Sequence, residues 1–326
     1  MTSISPTAPA PSRILGYLRS NPTIPLALLL LAIIAVLEIM RPGIVNERWL
    51  GNTVKFAIPL GMLAACQTLT MLTGGIDLSV GVVATITAFV LATQVPVVGL
   101  PLALVFALLP ALLVGLINGF GVAICRVHPL IMTLGTGLIA TGCLQVYQRT
   151  VIASGVEIPE FLVWLGTGRT WSVPNALVLF VPFAVIIVLG QRRTGFGRLL
   201  YALGSNEHAA QLAGVRPWQV YLALYSLTSV IAGVAGLLDL GLIKTASLSL
   251  AMPLVLPSVA AAVIGGTSIF GGRGGYGGTI IGALILTVLG TLLTLLQMPE
   301  GARRILFGLI ILAVTALYAR FTDQIS

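Results

Sequence analysis

Charged side chains are scarce in this chain. Asp, Glu, Lys and Arg make up 8% of its 326 residues, 57% are hydrophobic, and the mean hydropathy is +1.07. A globular chain carries about 25% charged residues, so this one cannot clothe a water-facing surface and must be wrapped in lipid. Acidic residues are scarcest of all, 9 against 17 basic, for a net charge of +8. The basic residues sit in short loops between apolar runs and form no stripe, which points to anionic lipid headgroups and away from nucleic acid. The three cysteines, Cys66, Cys125 and Cys143, have no metal-ligand spacing and read as small buried hydrophobes. The sequence has no G-x-x-x-x-G-K-[ST] phosphate loop, no His/Cys/carboxylate cluster and no paired catalytic carboxylates. These absences argue against an enzyme, a bound metal and ATP held by this chain itself. His128, just before Pro129, reads as a solvated loop residue.

What the sequence has in abundance is apolar runs. A helix needs about 20 such residues to cross a bilayer, and that ruler predicts an all-α integral membrane protein with about ten transmembrane helices. They are placed near 24–40, 54–72, 79–96, 99–124, 130–148, 173–190, 217–241, 254–270, 276–297 and 303–320. Pro110 marks 99–124 as a helix that kinks or splits, and the Gly- and Thr-rich run 130–148 has a re-entrant loop as its alternative. The first run, preceded by Arg13 and Arg19, superficially resembles a signal peptide. It ends in Glu38, Arg41 and Pro42 without a small-x-small cleavage site, so it is read as a retained helix. The resulting organisation is a tail over 1–23, one transmembrane domain over 24–320 and a tail over 321–326. Ten spans put both termini on one side. Loop charge is nearly balanced between the two sides, but the cluster Arg192, Arg193, Arg198 and Arg216 in the long loop 191–216 assigns that side to the cytoplasm.

Three polar islands interrupt the apolar pattern. The first, residues 73–81 (TGGIDLSVG), sets Asp77 between two spans, with Gly74, Gly75 and Ser79 around it. An ionisable group at membrane depth costs roughly 2.5–3.5 kcal/mol and calls for water, a partner or a substrate. Asp77 either accepts hydrogen bonds from a polar substrate, caps the following helix, or pairs with Arg273. The second island, residues 204–214 (GSNEHAAQLAG), opens with two candidate N-caps, Ser205 and Asn206, and stops at Gly214 with Pro217 beyond. It reads as a two-turn surface helix with a small-residue face of Ala209, Ala210 and Ala213 beside Glu207, His208 and Gln211; a solvated linker is the alternative. The third, residues 265–275, carries Gly265, Gly266, Gly271, Gly272 and Arg273, a glycine density that permits close approach or a break in helical geometry. The first and third islands each follow a span and lie far apart, as an internal repeat of inverted topology would have it. Within the spans, Gln67, Thr70, Asn118, Gln145 and Asp239 are polar, and either line a path or tie helices together.

The three islands carry a resemblance. Residues 73–81 resemble the signature of the permease subunits of bacterial ABC importers for monosaccharides, of the ribose/xylose/galactose type. Gly204, Asn206, Ala209, Ala210, Leu212, Ala213 and Gly214 match that family's coupling segment, G-x-N-x-x-A-A-x-L-A-G, and 265–275 resembles its GGTSxFGGRG block. The resemblance implies alternating access and a subunit that binds no ATP. It implies docking of ATPase subunits carrying ATP and Mg through 204–214 with Glu207, delivery of sugar by a periplasmic binding protein, and pairing with a second copy or a paralogue in the inner membrane. A related branch moves branched-chain amino acids, and the Ile76–Asp77–Leu78–Ser79 core stands against it. An ion-coupled carrier working through Asp77 or Asp239 is the alternative from another class. The identity of the sugar is not written in these residues.

Overall fold

In lipid a backbone must satisfy its own polar groups, and a long apolar run does so as a helix. The computed structural model describes residues 23–151, 155–299, 301–310 and 312, and within them eight helices are long and apolar enough to span a membrane. In chain order the helices are α1 (Thr23–Met40), α2 (Glu47–Met71), α3 (Val80–Val98), α4 (Leu100–Ala123), α5 (Pro129–Val151) and the short α6 (Glu160–Thr167). A two-stranded hairpin follows, β1 (Arg169–Thr170) with β2 (Val173–Pro174). Then come α7 (Ala176–Arg193), α8 (Gly195–Ser205), α9 (Glu207–Leu212), α10 (Pro217–Ile243), α11 (Val255–Ile264) and α12 (Tyr276–Leu295). Residues 301–310 are also helical. The tails assigned to 1–23 and 321–326 lie outside the described residues, apart from Thr23, which opens α1, as does most of the span expected over 303–320.

Helix α10 is the axis of the bundle, packed against α2, α3, α4 and α6. Its closest neighbour is α4, where Gly115 and Gly119 form a small-xxx-small pair. A Cβ on Gly115 would lie 2.6 Å from the Tyr225 carbonyl oxygen, and one on Gly119 would lie 2.8 Å from the Leu222 Cα. Such spacing lets two helix backbones touch, which is how helices associate where lipid removes the hydrophobic drive between them. Helix α2 is buried along nearly its whole length, whereas α1, packed on α12, fully buries only Leu37.

Two doubtful runs prove continuous: α4 passes through Pro110 unbroken, and α5 is one helix of 23 residues, not a re-entrant loop. At 254–270 the expected full-length span is a shorter helix. There α11 has 10 residues, a length of about 15 Å at 1.5 Å per residue, too short for a core of about 30 Å. Lys244, in the left-handed conformation at φ 58°, ends α10. The chain then turns back into the bundle without helix, and the buried Ala251 donates its N–H to Thr85 Oγ1 of α3 at 3.2 Å. A 3₁₀ turn, Met252–Leu254, leads into α11. Pro253 and Pro257 fall in these first turns, where a missing N–H costs nothing, and Gly266, at φ +89°, follows the end. Of this non-helical stretch Leu250 and Ala251 are buried, while Lys244, Thr245 and Ser249 stay exposed.

Candidate functional site

The three polar islands meet at one end of the bundle. Gly272 donates its N–H to the carbonyl of Leu72, at the end of α2, at 2.9 Å. Gly204, at the end of α8, lies against the same carbonyl: a Cβ there would collide with Leu72 O and come within 2.6 Å of Gly272 N. Gly271, at φ +91°, would place a Cβ 2.7 Å from Gly204 O, and the Phe270 carbonyl lies against Gly74. Backbone packs on backbone here, and only glycine leaves the room. Side chains brace the joint. Tyr201 Oη donates to Gly274 O at 2.8 Å, and Tyr276 N donates to Gln191 Oε1 at 2.9 Å. Burial pushes the Tyr201 hydroxyl up from its ordinary pKa, with nearby Arg192 opposing, so it stays a donor. Gly265 packs against Thr279 of α12, and Arg273 is exposed, its carbonyl accepting from Ser268 N at 3.0 Å.

Asp77 is wholly buried inside this end. Its Oδ1 accepts from the backbone N–H of Ser79 at 2.9 Å and from Ser79 Oγ at 2.6 Å, just before α3 begins. Gln67 of α2 brackets the Asp77 backbone, donating from Nε2 to its carbonyl at 2.7 Å and accepting its N–H at 3.3 Å. The chain of bonds continues outward: Asn118 Nδ2 of α4 donates to Ser79 Oγ at 2.9 Å, and Thr136 Oγ1 of α5 donates to Asn118 Oδ1 at 2.6 Å. Thr133 Oγ1 accepts from Leu78 N at 3.1 Å and donates to Ile76 O at 3.3 Å. One polar network thus ties α2, the Asp77 loop and the start of α3 to α4 and α5. Asp77 Oδ2 and Tyr225 Oη are buried without a hydrogen-bond partner among the described residues.

Of the polar residues singled out in the sequence, Gln67, Asp77, Ser79 and Asn118 come together. Asp239 lies near the far end of α10 and Gln145 on the exposed side of α5; neither joins the network. Thr70 bonds back to its own helix at Cys66 O and Gln67 O. Pairing of Asp77 with Arg273 is absent; Ser79 takes that role. The sequence reading missed Thr133, Thr136, Tyr225, Tyr221 and Gln191. The only trace of the first two was the unusual threonine content of 130–148.

The expected two-turn helix is α9, and α8, which the sequence reading did not single out, runs up to it with Asn206 extended between the two at φ −163°. Asn206 caps α9, its Oδ1 accepting from Ala209 N at 2.9 Å. Gly214, at φ +87°, ends it, and Val215 N returns to Ala210 O at 3.0 Å. The small-residue face is corrected: Ala210 is buried against the bundle, whereas Ala209 and Ala213 face outward and Leu212 is 78% exposed. Glu207 Oε1 accepts from Gln211 Nε2 at 3.1 Å, and Glu207 Oε2 accepts from Tyr221 Oη of α10 at 3.0 Å. Beside α9 lies a cleft of about 970 Å³ lined by Thr73, Arg126, His128, Glu207, His208 and Arg216, among others. Arg126 holds the left-handed conformation, φ 54°, uncommon for a residue with a side chain. No group of three metal-ligating side chains occurs among the described residues.

Comparisons with known proteins agree with this geometry. Residues 50–315 match the family described as the branched-chain amino acid transport system, permease component. Among curated relatives, the ribose import permease protein RbsC of Escherichia coli (strain K12) is 32% identical over 298 residues, covering 90% of this chain and 91% of that protein. The fructose import permease protein FrcC of Rhizobium meliloti is 31% identical over 315 residues, 92% of this chain and 86% of the relative. The autoinducer 2 import system permease protein LsrD of Enterobacter sp. (strain 638) is 32% identical over 295 residues, 87% and 90% respectively. No solved structure matches the chain. With eight bundle helices of spanning length, a family match over most of its length and relatives that are permeases, the chain belongs to this permease family and is a multi-pass membrane transport subunit, not an enzyme.

Proposed function

We propose that the chain is the transmembrane subunit of an ATP-driven importer that carries a monosaccharide or a related polyol across the bacterial inner membrane by alternating access. The observation that carries the reading is the joint between the exposed α9 region and the ends of buried helices. Gly204, Leu72 and Gly272 join backbone to backbone, so a load applied at α8 and α9 reaches α2 and the α11–α12 turn without slack. A partner ATPase seats on α9 and its cleft, through exposed Ala209, Ala213 and Leu212. ATP and Mg are held on that partner. Closure of the ATPase pair supplies the differential binding energy that shifts the bundle between two states. Both termini and the 191–216 loop then face the cytoplasm, a second copy or a paralogue completes the path, and a periplasmic binding protein delivers the substrate at the opposite end.

The relatives' names favour sugar over branched-chain amino acid as cargo, since two of them are ribose and fructose permeases. The network around Asp77 favours a structural role for that residue, because Ser79 holds Oδ1 and the side chain is wholly enclosed. This also weighs against an ion-coupled carrier working through Asp77, which would need the carboxylate to reach water. The test is uptake of radiolabelled ribose and fructose into membrane vesicles carrying the chain and its co-purifying partners. Accumulation driven by ATP and insensitive to an ionophore is expected. Accumulation that collapses with the ion gradient would overturn the importer reading.

A further inference from the structure

Among the described residues, α9 is held to the membrane helices by a single side-chain hydrogen bond, from Tyr221 Oη to Glu207 Oε2 at 3.0 Å. Its other attachments are the chain itself at Asn206 and Gly214 and the buried methyl of Ala210. Gln211 Nε2 donates to the second carboxylate oxygen of Glu207 at 3.1 Å. Tyr221 belongs to the core and is 7% exposed, its ring among buried residues of the bundle and its hydroxyl reaching the cleft. It lies where α10 touches α4: a Cβ on Gly119 would be 3.2 Å from the Tyr221 carbonyl. The residue before Gly119 is Asn118, which bonds Ser79 of the Asp77 island and Thr136 of α5.

We infer that the Tyr221–Glu207 hydrogen bond is the link by which movement of α9 enters the bundle, with Tyr221 a positioning residue for transport. From it the displacement passes through the α10–α4 contact at Gly119 to Asn118, and so to α5. The Gly204 joint holds the α8 side of the α9 region to α2 and α11–α12; this second attachment holds its α9 side to α10. Spatial continuity alone does not establish coupling, so the inference stands or falls on measured interaction between the two residues. It rests on the importer reading above.

The experiment uses the whole complex, with its ATPase, reconstituted in phospholipid vesicles. It reads sugar imported per ATP hydrolysed, with radiolabelled ribose or fructose, whichever the unmodified complex accumulates. Tyr221→Phe keeps the ring and removes the hydroxyl. It is expected to lower the ratio at least fivefold while the ATPase still co-purifies. Glu207→Ala is expected to do the same, Glu207→Gln to retain at least half the ratio because its amide oxygen still accepts, and the double variant Tyr221→Phe/Glu207→Ala to be no worse than either single one. An unchanged ratio in Tyr221→Phe, or effects that multiply in the double variant, would overturn the inference and leave the importer reading standing. If Tyr221→Phe does not fold, the two variants at exposed Glu207 decide alone: equal ratios for Ala and Gln overturn it. If the unmodified chain carries no ATPase, the importer reading falls and the inference with it.

Discussion

At the residue scale, two positions decide the site: Asp77 and Gly204. Asp77 gives one oxygen to two donors on Ser79, and a buried donor left without its acceptor costs about 1–3 kcal/mol. Asp77→Ala is therefore expected to lower the thermal unfolding midpoint of the detergent-purified chain by several degrees. Asp77→Asn, which keeps an acceptor oxygen facing Ser79, is expected to keep that midpoint and to transport within about threefold of the parent. Transport abolished in an intact Asp77→Asn complex would instead assign the charge to the path. Gly204→Ala is expected to scatter the chain into aggregates on size-exclusion chromatography, since a methyl there meets the Leu72 carbonyl. Gly190→Ala, in α7 where a Cβ meets nothing within 4 Å, is expected to elute as the parent does. The islands holding these residues stand out in the sequence as breaks in apolar runs. That they touch one another does not, because the contact joins residues 72, 204 and 272 through backbone atoms, which carry no residue signature.

At the scale of elements, hydropathy located the spans because length and lipid-facing composition are what it reports. It could not tell a half-length helix from a full one. Residues 254–264 are apolar but for Ser258, and the signal that α11 stops early lay in the glycines at 265 and 266 and the polar Thr267 and Ser268 after them. The hydrogen bonds linking α4 and α5 to the Asp77 loop were equally hidden, for a threonine in a span bonds its own helix as readily as a neighbour; Thr136 does both. If Asn118 and Thr136 act as a pair, Asn118→Ala and Thr136→Val should be non-additive. A coupling of about 0.5–3 kcal/mol in a double-mutant unfolding cycle is the expected result, and strict additivity would mean that the 2.6 Å bond carries nothing.

At the scale of the whole molecule, the end of the bundle that holds the three islands is closely knit. There the loops after α2, α4, α8 and α11 meet, and there an exposed helix projects with a hydrophobic tip, Leu212. Leu212→Asp is expected to leave the chain folded and inserted but to cut the ATPase recovered with it at least tenfold in a pull-down from native membranes; full recovery would remove α9 from the docking surface. The short α11 also bears on how the protein is made. A ribosome-bound chain emerging residue by residue offers the insertion channel ten residues that cannot bridge the bilayer, so α11 cannot be handed to lipid on its own. It must slot sideways against α2, already in place, and wait for α12 to cover its other side, which makes completion of the second half of the chain conditional on assembly of the first.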